Sequence, residues 1–84
     1  MAFNSGGIIE IDVHGMTKYQ ARIYIASTIK KAGRGVYRVR VIHGYHRGTE
    51  LRDMVRREFS GGKVLRVEVG LNQGETDLVL RELF

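Results

Sequence analysis

The sequence predicts an α/β protein, an α+β two-layer sandwich in which a four-stranded mixed sheet carries two helices on one face. Three observations predict it. Apolar and polar residues alternate over four short stretches, the period of a half-buried strand. Between them lie two segments whose apolar residues recur at spacings of three and four, the period of a helix packed on one side. The segments run in the order β-α-β-α-β-β, and right-handed strand–helix–strand crossovers then bring both helices to the same side.

The first strand is Ile8 to Val13, where Ile9, Ile11 and Val13 alternate with Glu10, Asp12 and His14. Thr17-Lys18-Tyr19-Gln20 has capping-box spacing: the Thr17 hydroxyl can accept from a first-turn amide while Gln20 reaches back. The helix that follows sets Ala21, Tyr24, Ile25, Thr28, Ile29 and Ala32 on one face, and Gly33 is placed to end it in a left-handed cap. In the second strand, Val36 to Ile42, Tyr37, Val39 and Val41 point one way and Arg38 and Arg40 the other. The second helix, Thr49 to Phe59, buries Leu51, Met54, Val55 and Phe59, and Ser60-Gly61-Gly62 ends it. The third strand, Val64 to Leu71, turns Leu65, Val67 and Val69 inward. After the turn formers Asn72-Gln73-Gly74-Glu75, the last strand runs from Thr76 to Leu83 as the antiparallel partner of the third.

Length and composition bound the class. Eighty-four residues make one domain, expected as residues 8–84 behind a flexible leader of residues 1–7. A chain this short buries about 60–65% of the surface its unfolded form exposes. It has no cysteine, so packing alone holds it. Lack of cysteine fits a cytoplasmic location. No apolar run approaches the roughly 18 residues of a membrane span, and the N-terminus has neither the basic start nor the apolar core of a signal peptide. Ten arginines and four lysines against nine carboxylates give a net charge of +5. Arginine favours bidentate contacts to phosphate, which points to a nucleic-acid or ribosome partner.

The charged side of the sheet has two readings. Glu10, Asp12, Arg38, Arg40, Arg66, Glu68, Asp77 and Arg81 either pair across strands to keep an open face soluble, or offer a basic surface to phosphates. The histidines are more specific. All three lie at or just beyond the ends of the first two strands: His14 before Gly15, His43 before Gly44, and His46 in the loop that follows. If those strands are parallel, His14 and His43 share the carboxyl edge of the sheet, where sites in open α/β sheets gather. Asp12, two residues before His14, projects to the same face and could orient a histidine or hold a divalent ion. The loop Gly44 to Gly48 feeds a helix N-terminus suited to phosphate, with Arg47 and Arg52 beside it and Glu50 working against it. A histidine near pH 6.5 serves as acid or base in phosphodiester cleavage. RNA brings its own 2′-hydroxyl nucleophile, whereas on DNA water must attack and a metal helps. The sequence assigns no metal ligands.

These residues resemble the small MutS-related (Smr) domain family. Ile11-Asp12-Val13-His14-Gly15-Met16-Thr17 is similar to its Leu-Asp-x-His-Gly-Leu-Thr signature, and Val41-Ile42-His43-Gly44 to the start of its His-Gly-x-Gly loop, with Leu51-Arg52 following. Gly74-x-Thr76-x-Leu78-x-Leu80 is similar to its closing Gly-x-Thr-x-Val-x-Leu strand. The match runs from Ile9 to Leu80 and departs in the loop, where His46 stands at the family's second glycine. The resemblance implies a fold like the C-terminal domain of a bacterial translation initiation factor. It also implies nucleic-acid binding and, in several members, nicking of DNA or endonucleolytic cleavage of RNA.

The expectation is therefore a nucleic-acid endonuclease, RNA favoured over DNA. Asp12, His14 and His43 would do the chemistry. Gly44, Tyr45, His46, Arg47, Gly48, Arg52, Arg38 and Arg40 would hold substrate. A non-catalytic RNA-, DNA- or ribosome-binding module is the alternative. A small-molecule phosphate binder would need a deep, closed pocket.

Overall fold

A computed structural model of the protein describes residues 2–44 and 49–82. Five strands and two helices follow one another as β1 (Ala2–Ser5), β2 (Ile8–Asp12), α1 (Lys18–Lys31), β3 (Arg38–Ile42), α2 (Glu50–Glu58), β4 (Arg66–Glu68) and β5 (Glu75–Val79). The sheet order is β1-β2-β3-β5-β4. Only β2 and β3 are parallel, with Asp12 opposite Ile42 at their carboxyl ends; the other pairs are antiparallel. Ile11, Val13, Val39, Val41 and Leu78 from the sheet meet Ala21, Ile25 and Ile29 from α1 and Met54 and Val55 from α2 in one core. Both helices thus cover one face, and the Arg22–Glu58 ion pair links them at 2.7 Å.

The sheet has five strands and not four. Ala2–Ser5, expected as part of a flexible leader, pairs antiparallel with Ile8–Ile11. The signal was Gly6-Gly7: both take positive φ, 60° and 87°, the geometry of a two-residue hairpin whose twist suits the flanking strands. At Gly7 a side chain is also excluded by space, since a Cβ would lie 2.8 Å from the Gly35 carbonyl and 2.9 Å from the Tyr37 ring.

Helix α1 starts as its sequence requires. Gln20 N–H donates to the Thr17 hydroxyl at 3.1 Å and Thr17 N–H to the Gln20 side chain at 3.0 Å. Thr17→Ala should cost about 1 kcal/mol through loss of this cap; a melting temperature unchanged by the substitution would show that packing alone fixes the start. The other end differs from expectation. The helix stops at Ala32 with φ −64° and ψ 127°, and Gly33 is not left-handed. Instead the Ala32 N–H turns back to the Ile29 carbonyl at 3.2 Å, and the Lys63 ammonium donates to the same oxygen at 2.9 Å. A lysine 34 residues downstream leaves no local signal.

Strand β4 is three residues long where eight were expected, and β5 ends at Val79. β4 is an edge strand, and the helical layer centres on β2, β3 and β5. Leu65 and Val69 therefore stay half exposed and Leu71 lies in solvent. Val79 makes the opposite departure. It is 1% exposed although it shares the charged face with Asp77. It stands in register between Arg38 and Arg66, whose aliphatic stems can cover it while their heads stay wet.

Candidate active site

Parallel pairing of β2 and β3 puts their carboxyl ends side by side, and the first residues beyond each strand are joined. Val13 N–H donates to the Ile42 carbonyl at 2.9 Å. Gly44 comes so close to His14 that a Cβ on Gly44 would stand 3.5 Å from the His14 Cβ, and its φ of +76° is one that side-chain-bearing residues avoid. His14 and His43 therefore share the edge that their strands predict.

They face opposite ways. Asp12 lies level with Ile42, so alternation turns Asp12 and His14 to the open face and His43, in line with Val41, to the helices. His14 is largely exposed, and its Nδ1 lies 2.5 Å from Asp12 Oδ1, which also accepts the His14 backbone N–H at 3.0 Å. Partial burial alone would push the Asp12 carboxyl up, but the hydrogen bonds from the His14 ring and amide outweigh it and hold the carboxyl below its ordinary value. An ionised carboxylate only accepts, so Nδ1 carries the proton and Nε2 presents a lone pair. That nitrogen has no partner among the described residues. The pair is a solvent-facing imidazole whose tautomer is fixed by a carboxylate, the arrangement of a general base with its orienting acid.

His43 is a different kind of residue. It is 5% exposed, and both ring nitrogens are engaged: Nδ1 with the Gly44 carbonyl at 2.8 Å and Nε2 with the Thr76 hydroxyl at 2.9 Å. A carbonyl only accepts, so Nδ1 holds the hydrogen and Nε2 must accept from Thr76. Thr76 oxygen in turn accepts from Arg56 Nε at 2.9 Å. The chain of donors therefore runs Arg56 to Thr76 to His43 to Gly44. Burial pushes the His43 imidazole down; the Gly44 carbonyl opposes this, and the Arg56 and Arg52 charges reinforce it. The backbone completes the clamp, since His43 N–H and Gly44 N–H both donate to the Gly74 carbonyl at 2.9 and 3.0 Å. The Gly74-x-Thr76 motif thus holds the His43-Gly44 turn from across the sheet.

Thr76 and Arg56 were not among the expected site residues. Thr76 had a signal, its place beside Gly74 in the closing motif; Arg56 had none. Its NH2 nitrogen is buried without an acceptor among the described residues. Glu75 was also passed over. It stands in the same register row as Asp12, two strands away on the open face.

The expected substrate residues divide. Gly44 lies at the edge against His14. Arg52 is in the first turn of α2, half-buried, with Asp53 3.3 Å from its Nε. Tyr45, His46, Arg47 and Gly48 lie outside the described residues. Arg38 and Arg40 are on the open face, but carboxylates hold them. Arg38 donates to Asp77 at 2.6 Å and Glu68 at 2.8 Å, and Arg40 grips Asp77 in a fork at 3.0 and 3.1 Å. Burial pushes the Asp77 carboxyl up, and the hydrogen bonds from Arg40 and Arg38 more than reverse it. Of the two readings of this face, cross-strand ion pairing is the one the geometry shows. Asp77→Asn should cost about 1–3 kcal/mol, because it leaves two guanidinium groups short of an acceptor; urea unfolding with no midpoint shift would count against the network.

Among the described residues no three histidines or carboxylates gather as metal ligands. A divalent ion here would have Asp12 and take its other oxygens from substrate phosphate and water, as magnesium commonly does. An open cleft between the helices is lined by Lys18, Glu50, Asp53, Arg57 and Glu58 among others. It is too carboxylate-rich to suit a small phosphate ligand. Among the described residues no helix is long and apolar enough to cross a membrane.

No curated protein matches the chain by sequence. Its fold is similar to the crystal structure of the Smr domain of Thermus thermophilus MutS2, with a TM-score of 0.77 over 87% of this chain and 98% of that one, at 23% identity. A sequence model of the Smr domain matches residues 11–71, the stretch that holds Asp12, His14, His43 and Gly44. That match spans most of the 84 residues, and the chain belongs to the Smr domain family.

Proposed function

We propose that the protein is a nucleic-acid endonuclease in which Asp12 and His14 form the acid–base pair. One observation carries this: the exposed His14 ring, beside Gly44, has Nδ1 tied to Asp12 and Nε2 without a partner among the described residues. RNA asks least of such a site. Nε2 takes the proton of a 2′-hydroxyl, the 2′-oxygen bonds to phosphorus as the bond to the 5′-oxygen breaks, and the leaving 5′-oxygen takes a proton from the imidazolium or from water. His43 serves as a positioning residue that fixes the Gly44 turn against His14.

The test is incubation of the protein with end-labelled RNA and DNA, with and without EDTA. RNA cleavage that survives EDTA and leaves 2′,3′-cyclic phosphate ends is the expected result. Binding without cleavage of either polymer, across divalent metals and a pH range of about 5 to 9 around the histidine pKa, would reject it. One observation favours that second reading, a non-catalytic RNA-, DNA- or ribosome-binding module. With both His43 nitrogens occupied, His14 is, among the described residues, the one histidine at this edge with a ring nitrogen left for substrate.

A further inference from the structure

The basic residues are not spread evenly. From Val13 to Thr49 the sequence contains no aspartate or glutamate, while it carries Lys18, Arg22, Lys30, Lys31 and Arg34 before β3 begins. Helix α1 therefore has four cations and no carboxylate of its own. Exposed helices usually intersperse opposite charges at spacings of three and four; here Glu58 of α2 answers Arg22, and the positive charge with no ion pair among the described residues gathers toward the C-terminal end, at Lys30, Lys31 and Arg34. On the open sheet face, by contrast, each arginine of β3 and β4 is held by a carboxylate.

The outward ridge of α1 has a second unusual property. Tyr19, Ile23, Ala26 and Lys30 follow at helical spacing opposite the buried Ala21, Ile25 and Ile29. Tyr19 is 70% and Ile23 51% exposed. Lys30 and Lys31 complement the helix dipole at the C-terminal turn, but the dipole accounts for neither the exposed tyrosine nor Arg34 beyond the helix end. The N-terminal end of the ridge, Tyr19, lies five positions after His14, beyond the Gly15-Met16-Thr17 turn.

We infer that the outer face of α1 is the surface along which a nucleic-acid strand lies. Phosphates meet Lys30, Lys31 and Arg34, and Tyr19 packs on a base or sugar next to the Asp12–His14 end. This rests on the nucleic-acid reading above and names the surface that serves it. Fourteen residues of helix span about 21 Å at 1.5 Å each, which is about six phosphate steps of one duplex strand. Substrate would thus be held by charge on the helical layer and pass around the carboxyl edge of the sheet to reach His14 on the open face.

The test is fluorescence anisotropy with RNA and DNA of one sequence, single-stranded and duplex, over a salt series. It is done in the Asp12→Asn background so that bound polymer is not cut. K30Q/K31Q should flatten the slope of log K against log[salt] by about 1.4–1.8, the loss of two phosphate contacts. K30R/K31R should restore it. Tyr19→Ala should weaken single-strand binding by about five- to a hundredfold. All these positions are exposed, so melting temperatures should not move. Parent protein that binds with K30Q/K31Q and Tyr19→Ala unchanged would overturn the α1 surface and leave the site reading standing. Parent protein that binds no polynucleotide at low salt would overturn both.

Discussion

Asp12→Asn and His14→Ala should each lower the rate of cleavage by about 10²–10⁴-fold, the usual worth of a positioned acid–base group, while leaving polynucleotide affinity within a few-fold. The two act through the same ring. His14→Ala removes Nε2. Asp12→Asn keeps shape and one acceptor, but its amide NH2 cannot accept from Nδ1–H and favours the wrong tautomer. The double variant should therefore be little worse than either single one, because groups acting as a unit are not additive. His14 is 67% exposed in its side chain, so its removal should change stability by no more than about 0.5 kcal/mol. Rate assays and melting curves on the same preparations separate the outcomes. A variant that melts lower and cuts as fast as wild type would make the pair structural.

His43→Ala and Thr76→Val should produce the opposite pattern, a stability loss first. Alanine at 43 opens a cavity and strands the Thr76 hydroxyl and the Gly44 carbonyl, at a cost of about 2–4 kcal/mol. Valine at 76 keeps the volume but leaves Arg56 Nε without its acceptor and His43 Nε2 without its donor, at about 1–3 kcal/mol. For a domain of this size these are falls of roughly 4–30 °C in melting temperature. The same site sets a pH dependence. His43 in the fold lies below its ordinary value of 6.5, so the unfolded chain takes up the proton first. The stability contributed is complete above about pH 6.5 and is lost as pH falls from there through the lower folded value. The depressed carboxyls of Asp12 and Asp77 act the same way but from about pH 4 downward, so the two losses set in at different pH. Wild-type melting temperatures flat from pH 7.5 to about 5 would show that His43 is not held neutral by the fold.

Much of this site could be read along the chain because its residues are local. Asp12 and His14 are two positions apart on one strand, so alternation alone puts both on one face. The Thr17–Gln20 cap is a four-residue event and formed as its spacing requires. His43 misleads for an equally plain reason. Chain position places it at the same edge as His14, but the register that pairs Asp12 with Ile42 turns it to the helices, where burial and Thr76 occupy it. The arginines of the charged face show the same thing in energy. Arg38 and Arg40 look available for phosphate until β5 lies beside β3 and brings Asp77 between them.

By itself the sequence determined the α+β class, the helices and the placing of Asp12 and His14 on one face of a strand end, all of which follow from short-range periodicity and covalent spacing. Tertiary structure alone decided what depends on strand neighbours. It added β1 through the Gly6-Gly7 hairpin, shortened β4 where no helix covers it, and closed the relay from Arg56 through Thr76 to His43. It also replaced a glycine cap by the ammonium of Lys63. The relay and the Lys63 contact join groups far apart in the chain, and hydrogen bonds at that separation leave no periodic trace in sequence. A strand records which face it buries, but only its neighbours fix which side chains that face meets.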